Sequence, residues 1–266
     1  MTAGKKQLIG QIERDFPKLA AGPLLRCGLE LRAGRMALAR AACGRALASH
    51  EPTGAVLLLS GLVAFGVGVN LWFLFEYLLH RFAMHELHGK GIMSREHLLH
   101  HVTAGWGFTS RLLLAWLGVA LVGVAAWLPL GTWLLGPAVG VGLAVGWVLG
   151  YGFYEFQHAQ AHLRAPRNRY ERWLRKHHFH HHFGHPMANH GVTIPLWDIV
   201  FRTREAPEVV PVPRRLAAGL GWLLDDDGEL RAEFAADYVL VGIDRMDERQ
   251  AGIDRARAFA SLAPNP

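Results

Sequence analysis

The chain is expected to be all-α: an integral membrane helical bundle with a cytoplasmic-face, His-rich di-metal cap and a small soluble C-terminal tail. Three observations support this. Of 266 residues, 51% are apolar, and they gather in runs long enough to span a bilayer. Ten histidines fall into four tight boxes beside those runs. Lys and Arg outnumber Asp and Glu in the segments that precede and carry the boxes, a bias that marks cytoplasmic loops.

Residues 1–53 hold nine Lys/Arg and four Asp/Glu. They are expected to form basic helices on the membrane surface, because Arg14, Arg26, Arg32, Arg35 and Arg40 are costly in lipid. No apolar core of a cleavable signal peptide follows the basic start. Cys27 and Cys43 lack a zinc or CxxC spacing and are expected to be ordinary helix residues. Residues 54–205 form the expected membrane domain, with spans over Gly54–Leu79, Leu112–Leu128 and Thr132–Phe156. Pro129-Leu130-Gly131 suggests a tight hairpin between the last two. Gly61, Gly66, Gly68 and Asn70 leave open whether the first run is one helix or is broken into a re-entrant pair. Two His-rich caps follow, over 80–111 and 157–204. Ala206–Pro213 reads APEVVPVP, an extended linker by composition, before a tail whose seven Arg and eleven acidic residues reverse the charge balance. Residues 206–266 are therefore expected to be a separate soluble tail. The net charge of +6 fits anionic headgroups and topology, not a nucleic-acid partner.

The boxes are His80 with His85; His97, His100 and His101; His158 with His162; and His178, His181 and His182. Spacings of three and four put rings on one helical face, and neutral imidazole is the commonest metal ligand. One such pair is ordinary. Four beside the same membrane face predict a multi-histidine metal site. Ten donors exceed the four that satisfy a zinc ion and suit two adjacent metals. Glu76 and Glu155 stand one turn or less before a box histidine, where a carboxylate can orient a ligand ring. His177 and His180 offer a competing frame for the last box.

The order HRFAMH, HLLHH, HAQAH, HFHHH resembles the fatty acid hydroxylase superfamily, which includes fatty acid 2-hydroxylases, sterol desaturases and sterol methyl oxidases. The flanks resemble it too: WFLFEYLLHRFAMH over Trp72–His85, GYGFYEFQHAQAH over Gly150–His162, and NHGVTIPLWDIVF over Asn189–Phe201. The likeness covers roughly residues 70–204. It implies two Fe ions held by the ten box histidines, O2 as co-substrate, and an electron donor. It favours the frame His178, His181, His182, since Phe183 and Trp197-Asp198 then fall in phase, and it adds Asp198 to the carboxylates expected behind the ligands. His190 stands where the family often has Phe; with His185 it is expected at the mouth of the site. No haem-binding HPGG segment of a fused cytochrome b5 is present, so a separate donor of cytochrome b5, ferredoxin or reductase type is expected.

The resemblance thus implies a membrane di-iron oxygenase, an oxidoreductase that hydroxylates a lipid acyl chain as an O2-dependent monooxygenase. Oxidation or desaturation of a sterol or isoprenoid by the same centre is the alternative within that chemistry. From another class, a metal-binding or metal-transport protein would place ionisable ligands near mid-membrane, and a membrane haem protein would want histidines inside its spans. Here the histidines sit at the edges.

Overall fold

The first long apolar run has no charge before Glu76, and every backbone group of a spanning segment must bond within the segment. It forms α1 (Gly54–Leu78), which continues as a π-helical turn over Leu79–His85. The computed structural model describes residues 54–107, 110–242 and 247–266, with Gly34. The expected surface helices of 1–53, with Cys27, Cys43 and His50, otherwise lie outside the described residues. The chain divides into a unit ending at Leu59 and a unit Ser60–Pro266 that carries all the boxes.

Within α1 the helix is unbroken, so the re-entrant alternative does not hold. Asn70 explains why its polar amide is tolerated: Nδ2 donates 2.8 Å to the Gly66 carbonyl of the same helix. The cap helix α2 (Ile92–Thr103) follows, then α3 (Ser110–Leu135) and α4 (Pro137–Leu163). Among the described residues, three helices are long and apolar enough to cross a membrane: Gly54–His85, Leu117–Leu135 and Pro137–Leu163. Their outward faces carry Leu62, Val63, Leu121, Val122, Trp133 and Leu135, all more than half exposed, as lipid-facing side chains should be.

The α3–α4 hairpin corrects the sequence expectation. Pro129 lies inside α3, and the turn comes at Gly136, whose φ is 99°. A proline within a spanning helix loses one donor and is accommodated by neighbouring helices. Gly136 alone supplies the positive φ that the reversal needs, and Pro137 follows near the start of α4 with its φ already set for the helix.

Small residues bring α4 against α1. Gly142, Gly146 and Gly150 recur every four residues. A Cβ on Gly142 would collide with the Gly61 carbonyl oxygen, and one on Gly146 with that of Phe65. Lipid supplies no hydrophobic drive between helices, so close backbone packing does this work. Below the glycines, Trp72, Trp147, Tyr151 and Tyr154 fill the interface with Leu174 and Val192.

Helix α5 (Arg169–Phe179) turns back under the bundle and runs into a second π-helical turn, His180–Gly184. Asn168 caps α5 by accepting from the Glu171 amide at 2.9 Å. Arg164 at the end of α4 grips Glu171 through two 2.8 Å bonds. Arg175, fully buried, donates to the carbonyls of Gln160, Arg164 and Glu171. Arg175 thereby ties the end of α4 to the first turn of α5.

A short α6 (Leu196–Val200) precedes the C-terminal residues. Residues 206–213, expected as a linker, contain strand β1 (Val210–Pro213), which pairs in parallel with β2 (Tyr238–Val241), Val210 opposite Tyr238. Between them lies α7 (Arg214–Ala217), and after them α8 (Glu248–Phe259). The two strands qualify the all-α expectation. Residues 206–266 do not hang free: Val210, Val212, Leu216, Leu220 and Leu223 bury Phe179 and Phe183 in a common core. Residues 60–266 are one unit.

Gly146→Val should overpack the α1–α4 contact and cost about 1–3 kcal/mol, lowering the unfolding temperature in detergent, whereas a valine at Gly152, which faces open space, should not. The Arg164 guanidinium and the Arg167 amide hold the Glu171 carboxyl down at about 2 against an ordinary 4.5. A folded-state value below the unfolded one stabilises above pH 4.5, and that contribution is lost as pH falls toward 2. Denaturant midpoints of wild type and Glu171→Gln should therefore differ at neutral pH and converge through that window.

Candidate metal centre

Each box is carried by an element whose turn geometry matches its spacing. His80 and His85 are five apart, which an α-helix would splay onto different faces. The π-helical turn, with Glu86 N bonded to Arg81 O at 3.0 Å, closes on residues five apart and leaves the two rings 5.2 Å from each other. His97, His100 and His101 lie on α2. His158 and His162 are one turn apart at the end of α4. His178 lies in the last turn of α5, and His181 and His182 stand in the second π turn.

These ten side chains converge in two sets. His80, His85, His97, His101 and His181 form the first; His100, His158, His162, His178 and His182 form the second. Within each, one nitrogen per ring lies within 4.8 Å of all the others. The sets meet where His101 stacks on His182, with ring centroids 4.1 Å apart. Each paired box serves one set whole. Each HxxHH box is divided: its i, i+4 pair joins one set and its i+3 ring crosses to the other.

The ring nitrogens have a definite polarity. Nδ1 of His80 lies 2.6 Å from the His190 carbonyl, that of His181 2.7 Å from Ala188, that of His162 2.7 Å from Ala104, and that of His100 3.0 Å from Gly105. A carbonyl only accepts, so each Nδ1 donates, and Nε2 of the neutral ring presents a lone pair. Burial keeps the rings of the caps neutral, pushing His100 down to about 4 and His97, His101, His178, His181 and His182 well below the usual imidazole range.

The Nε2 atoms face one another. His97 Nε2 lies 3.0 Å from that of His80, 2.9 Å from that of His85 and 3.1 Å from that of His101. One proton satisfies one such contact, not three. In the second set Nε2 pairs stand 3.2 Å apart at His100 and His158 and 3.0 Å at His162 and His178. Two nitrogens bound at about 2.1 Å to one ion, at a right angle, are about 3.0 Å apart. The donor set therefore fits a cation in each group of five.

A cavity of 260 Å³ opens against both sets through His97, His100 and His158. Its other walls are mainly apolar and aromatic, among them Trp72, Leu79, Met93, Trp106 and Tyr154.

The remaining sequence candidates fall into place around this centre. Glu76, expected to hold the second nitrogen of a box histidine, accepts instead from Thr193 N at 2.9 Å and Thr193 Oγ1 at 2.7 Å. The position behind His80 is taken by the His190 carbonyl, so Glu76 acts on the loop that presents that carbonyl. Asp198 does the same from the other side, accepting from the amides of His190 and Gly191 at 2.9 and 2.8 Å and from Thr203 Oγ1 at 2.8 Å. The His177 ring beside it, with the Thr203 and Gly191 bonds, outweighs burial and keeps its carboxyl below the usual range. Glu155 lines the cavity. His177 turns away from both sets to Gly191 O at 3.1 Å. His180 and His185 both reach Glu205, at 2.7 Å. Of the two frames, His178, His181 and His182 lie in the sets, and His177 and His180 lie outside them. His190 is not at a mouth: its ring is fully buried with its centroid 5.5–5.8 Å from those of His80, His85 and His181. The paired-box spacings carried no sign of the carbonyls of Ala104, Gly105, Ala188 and His190, which any residue type supplies, nor of Ser261, whose hydroxyl lies 3.2 Å from His85 Nδ1.

A family model described as fatty acid hydroxylase matches residues 65–203. The chain is 35% identical over 147 residues to a fatty acid 2-hydroxylase of Macaca fascicularis, an alignment covering 52% of this chain and 38% of that protein. It is 34% identical over 147 residues to the fatty acid 2-hydroxylase of Homo sapiens, with the same coverage. A dihydroceramide fatty acyl 2-hydroxylase of Arabidopsis thaliana is 34% identical over 146 residues, 53% of this chain and 60% of that one. The chain thus spans less than two thirds of the length of these relatives. No solved structure gives a significant match. The family match covers more than half of the chain, which belongs to the fatty acid hydroxylase family.

His97→Ala and His100→Ala change positions three residues apart on one helix but in different sets. Each should lose one of two bound metal ions, and the double variant both, as read by metal analysis of purified protein. Adjacent His177→Ala and His178→Ala should likewise separate, the first keeping both ions and the second losing one; equal metal content in these two would refute the division into sets.

Proposed function

We propose that this member of the fatty acid hydroxylase family is a membrane oxidoreductase that hydroxylates a lipid acyl chain with O2 at a di-iron centre facing the cytoplasm. The observation that carries the proposal is the meeting of two five-histidine sets at the head of an apolar cavity. The first iron would be held by His80, His85, His97, His101 and His181, and the second by His100, His158, His162, His178 and His182. When bound, the irons supply activation of dioxygen toward an unactivated C–H bond. One oxygen atom enters the substrate as hydroxyl and the other leaves as water, with two electrons from a separate donor protein of cytochrome b5, ferredoxin or reductase type and two protons from solvent. The relatives' names point to carbon 2 of the acyl group as the position attacked.

The chain's own residues bind, orient and exclude water. Carbonyls of His190, Ala188, Ala104 and Gly105 keep the Nδ1 protons in place, so the lone pairs stay aimed inward. Trp72, Leu79, Met93 and Tyr154 offer an extended alkyl chain an apolar wall beside both sets, and a dry wall strengthens every electrostatic interaction at the head of the cavity. The placement also disfavours transport: the sets form at the ends of α1 and α4 and on the cap helices, not midway along a span.

Expression of the chain in a host lacking acyl hydroxylation, under isotopically heavy dioxygen, should give lipids whose acyl chains gain one labelled oxygen atom by mass spectrometry. His97→Ala and His158→Ala should abolish the gain, while His177→Ala should leave most of it. An oxygen derived from water, or a gain confined to sterols, would overturn the assignment.

A further inference from the structure

The family match ends at residue 203, yet residues 247–266 reach the first histidine set. Helix α8 packs against α2, its N-terminus capped by Asp247, which accepts from the Gln250 amide at 2.8 Å. Arg215 and Asp254 pin it in place through two 2.8 Å bonds with both side chains 2% exposed. Arg215 also donates to the Asn265 carbonyl at 2.7 Å. On the α1 side, His88 Nδ1 donates to the Phe259 carbonyl at 3.1 Å. The Phe259 ring covers Gly89, where a Cβ would collide with it. The loop that follows His85 is thus clamped to the end of the chain.

Directly after α8, Ser261 adopts φ 55°. A non-glycine residue in the left-handed region is uncommon and costs energy, and such positions cluster where a structure needs them. The turn brings Ser261 Oγ 3.3 Å from the His85 carbonyl and 3.2 Å from His85 Nδ1. A hydroxyl carries one proton. The carbonyl can only accept, so that proton goes to it, and the ring must donate to Oγ from Nδ1. His85 Nε2 is then left as a lone pair, 2.9 Å from His97 Nε2 and 3.1 Å from His181 Nε2. Where His80, His100, His162 and His181 rely on backbone carbonyls, His85 relies on this hydroxyl.

We propose that the C-terminal segment is part of the metal centre, with Ser261 a positioning residue that fixes His85 as a ligand of the first ion. The proposal rests on the di-metal reading above. The competing role for Ser261 is to end α8 and nothing more. Ser261→Gly separates the two, because glycine relieves the positive φ while removing the hydroxyl. Ser261→Asn tolerates the same φ and restores an acceptor.

Cobalt(II) is the probe, added to the metal-free full-length chain in detergent and followed by its visible absorption and by chelator competition. Wild type should bind two ions. Ser261→Gly and Ser261→Ala should bind one ion as before and the other about 10–100-fold more weakly, with an altered ligand-field spectrum. Ser261→Asn should recover much of the loss, and the unfolding temperature of metal-free Ser261→Gly should not fall. Two ions bound by Ser261→Gly with wild-type affinity and spectrum would overturn the positioning role and leave the di-metal reading standing. A wild type that binds fewer than two ions would overturn both.

Discussion

The structure depends on the crowding of imidazole nitrogens at one place. Ten imidazoles, all but His100 buried, are held so that ring nitrogens meet at about 3 Å. Burial keeps the cap rings from taking up protons, and carbonyls on the far side fix the tautomers of His80, His100, His162 and His181. A cluster of this kind is costly by itself, because buried polar atoms without partners are expensive. A cation in each set would convert that cost into binding energy, as in metal sites generally, where binding and folding are coupled.

Holding the rings this close requires a rigid frame, and the frame is made in two ways. In the spans, glycines at Gly142 and Gly146 let α4 lie against the backbone of α1, which fixes the separation of His80 and His158 to within the tolerance of side-chain packing. In the caps, charged groups do the corresponding work. Arg164, Glu171 and Arg175 tie the end of α4 to α5, and Glu76 and Asp198 hold the loop that supplies the carbonyl behind His80. Glu76 and Asp198 therefore influence the ligand through a backbone segment, so their effect is on where His190 O sits, not on the imidazole directly.

Much of this was legible in the sequence because histidine spacing is a local signal. The i, i+4 pair His158 and His162 needs only a helix to face one way, and the three apolar runs needed only length. The hairpin turn was misplaced because Pro129 announces a break in water-soluble helices but not in a membrane span, while the Gly136-Pro137 step that makes the turn lies seven residues later. Glu76 was assigned to the wrong partner since helical spacing shows which residues share a face, not which loop returns to that face. The carbonyls behind the rings and Ser261 were invisible for a related reason: a carbonyl has no residue type, and Ser261 lies 176 residues from His85.

The division of the HxxHH boxes shows why the two sets are parts of one device. The first set takes both rings of the pair box at the end of α1, the i and i+4 rings of α2, and the single ring His181. The second takes both rings of the pair box on α4, the i and i+4 rings His178 and His182, and the single ring His100. Each half, made of a span and its cap, thus builds four fifths of its own set and lends one ring to the other. Two separate sites would need no such exchange. The exchange means that neither set is complete unless α2 and the second π turn are both docked, so assembly of one ion site is tied to assembly of the other. It also fixes the distance between the sets through residues adjacent in sequence, His100 beside His101 and His181 beside His182, whose separation the backbone itself limits. Two metals acting on one small molecule would need that limit, and in this chain it is written into a spacing of one residue.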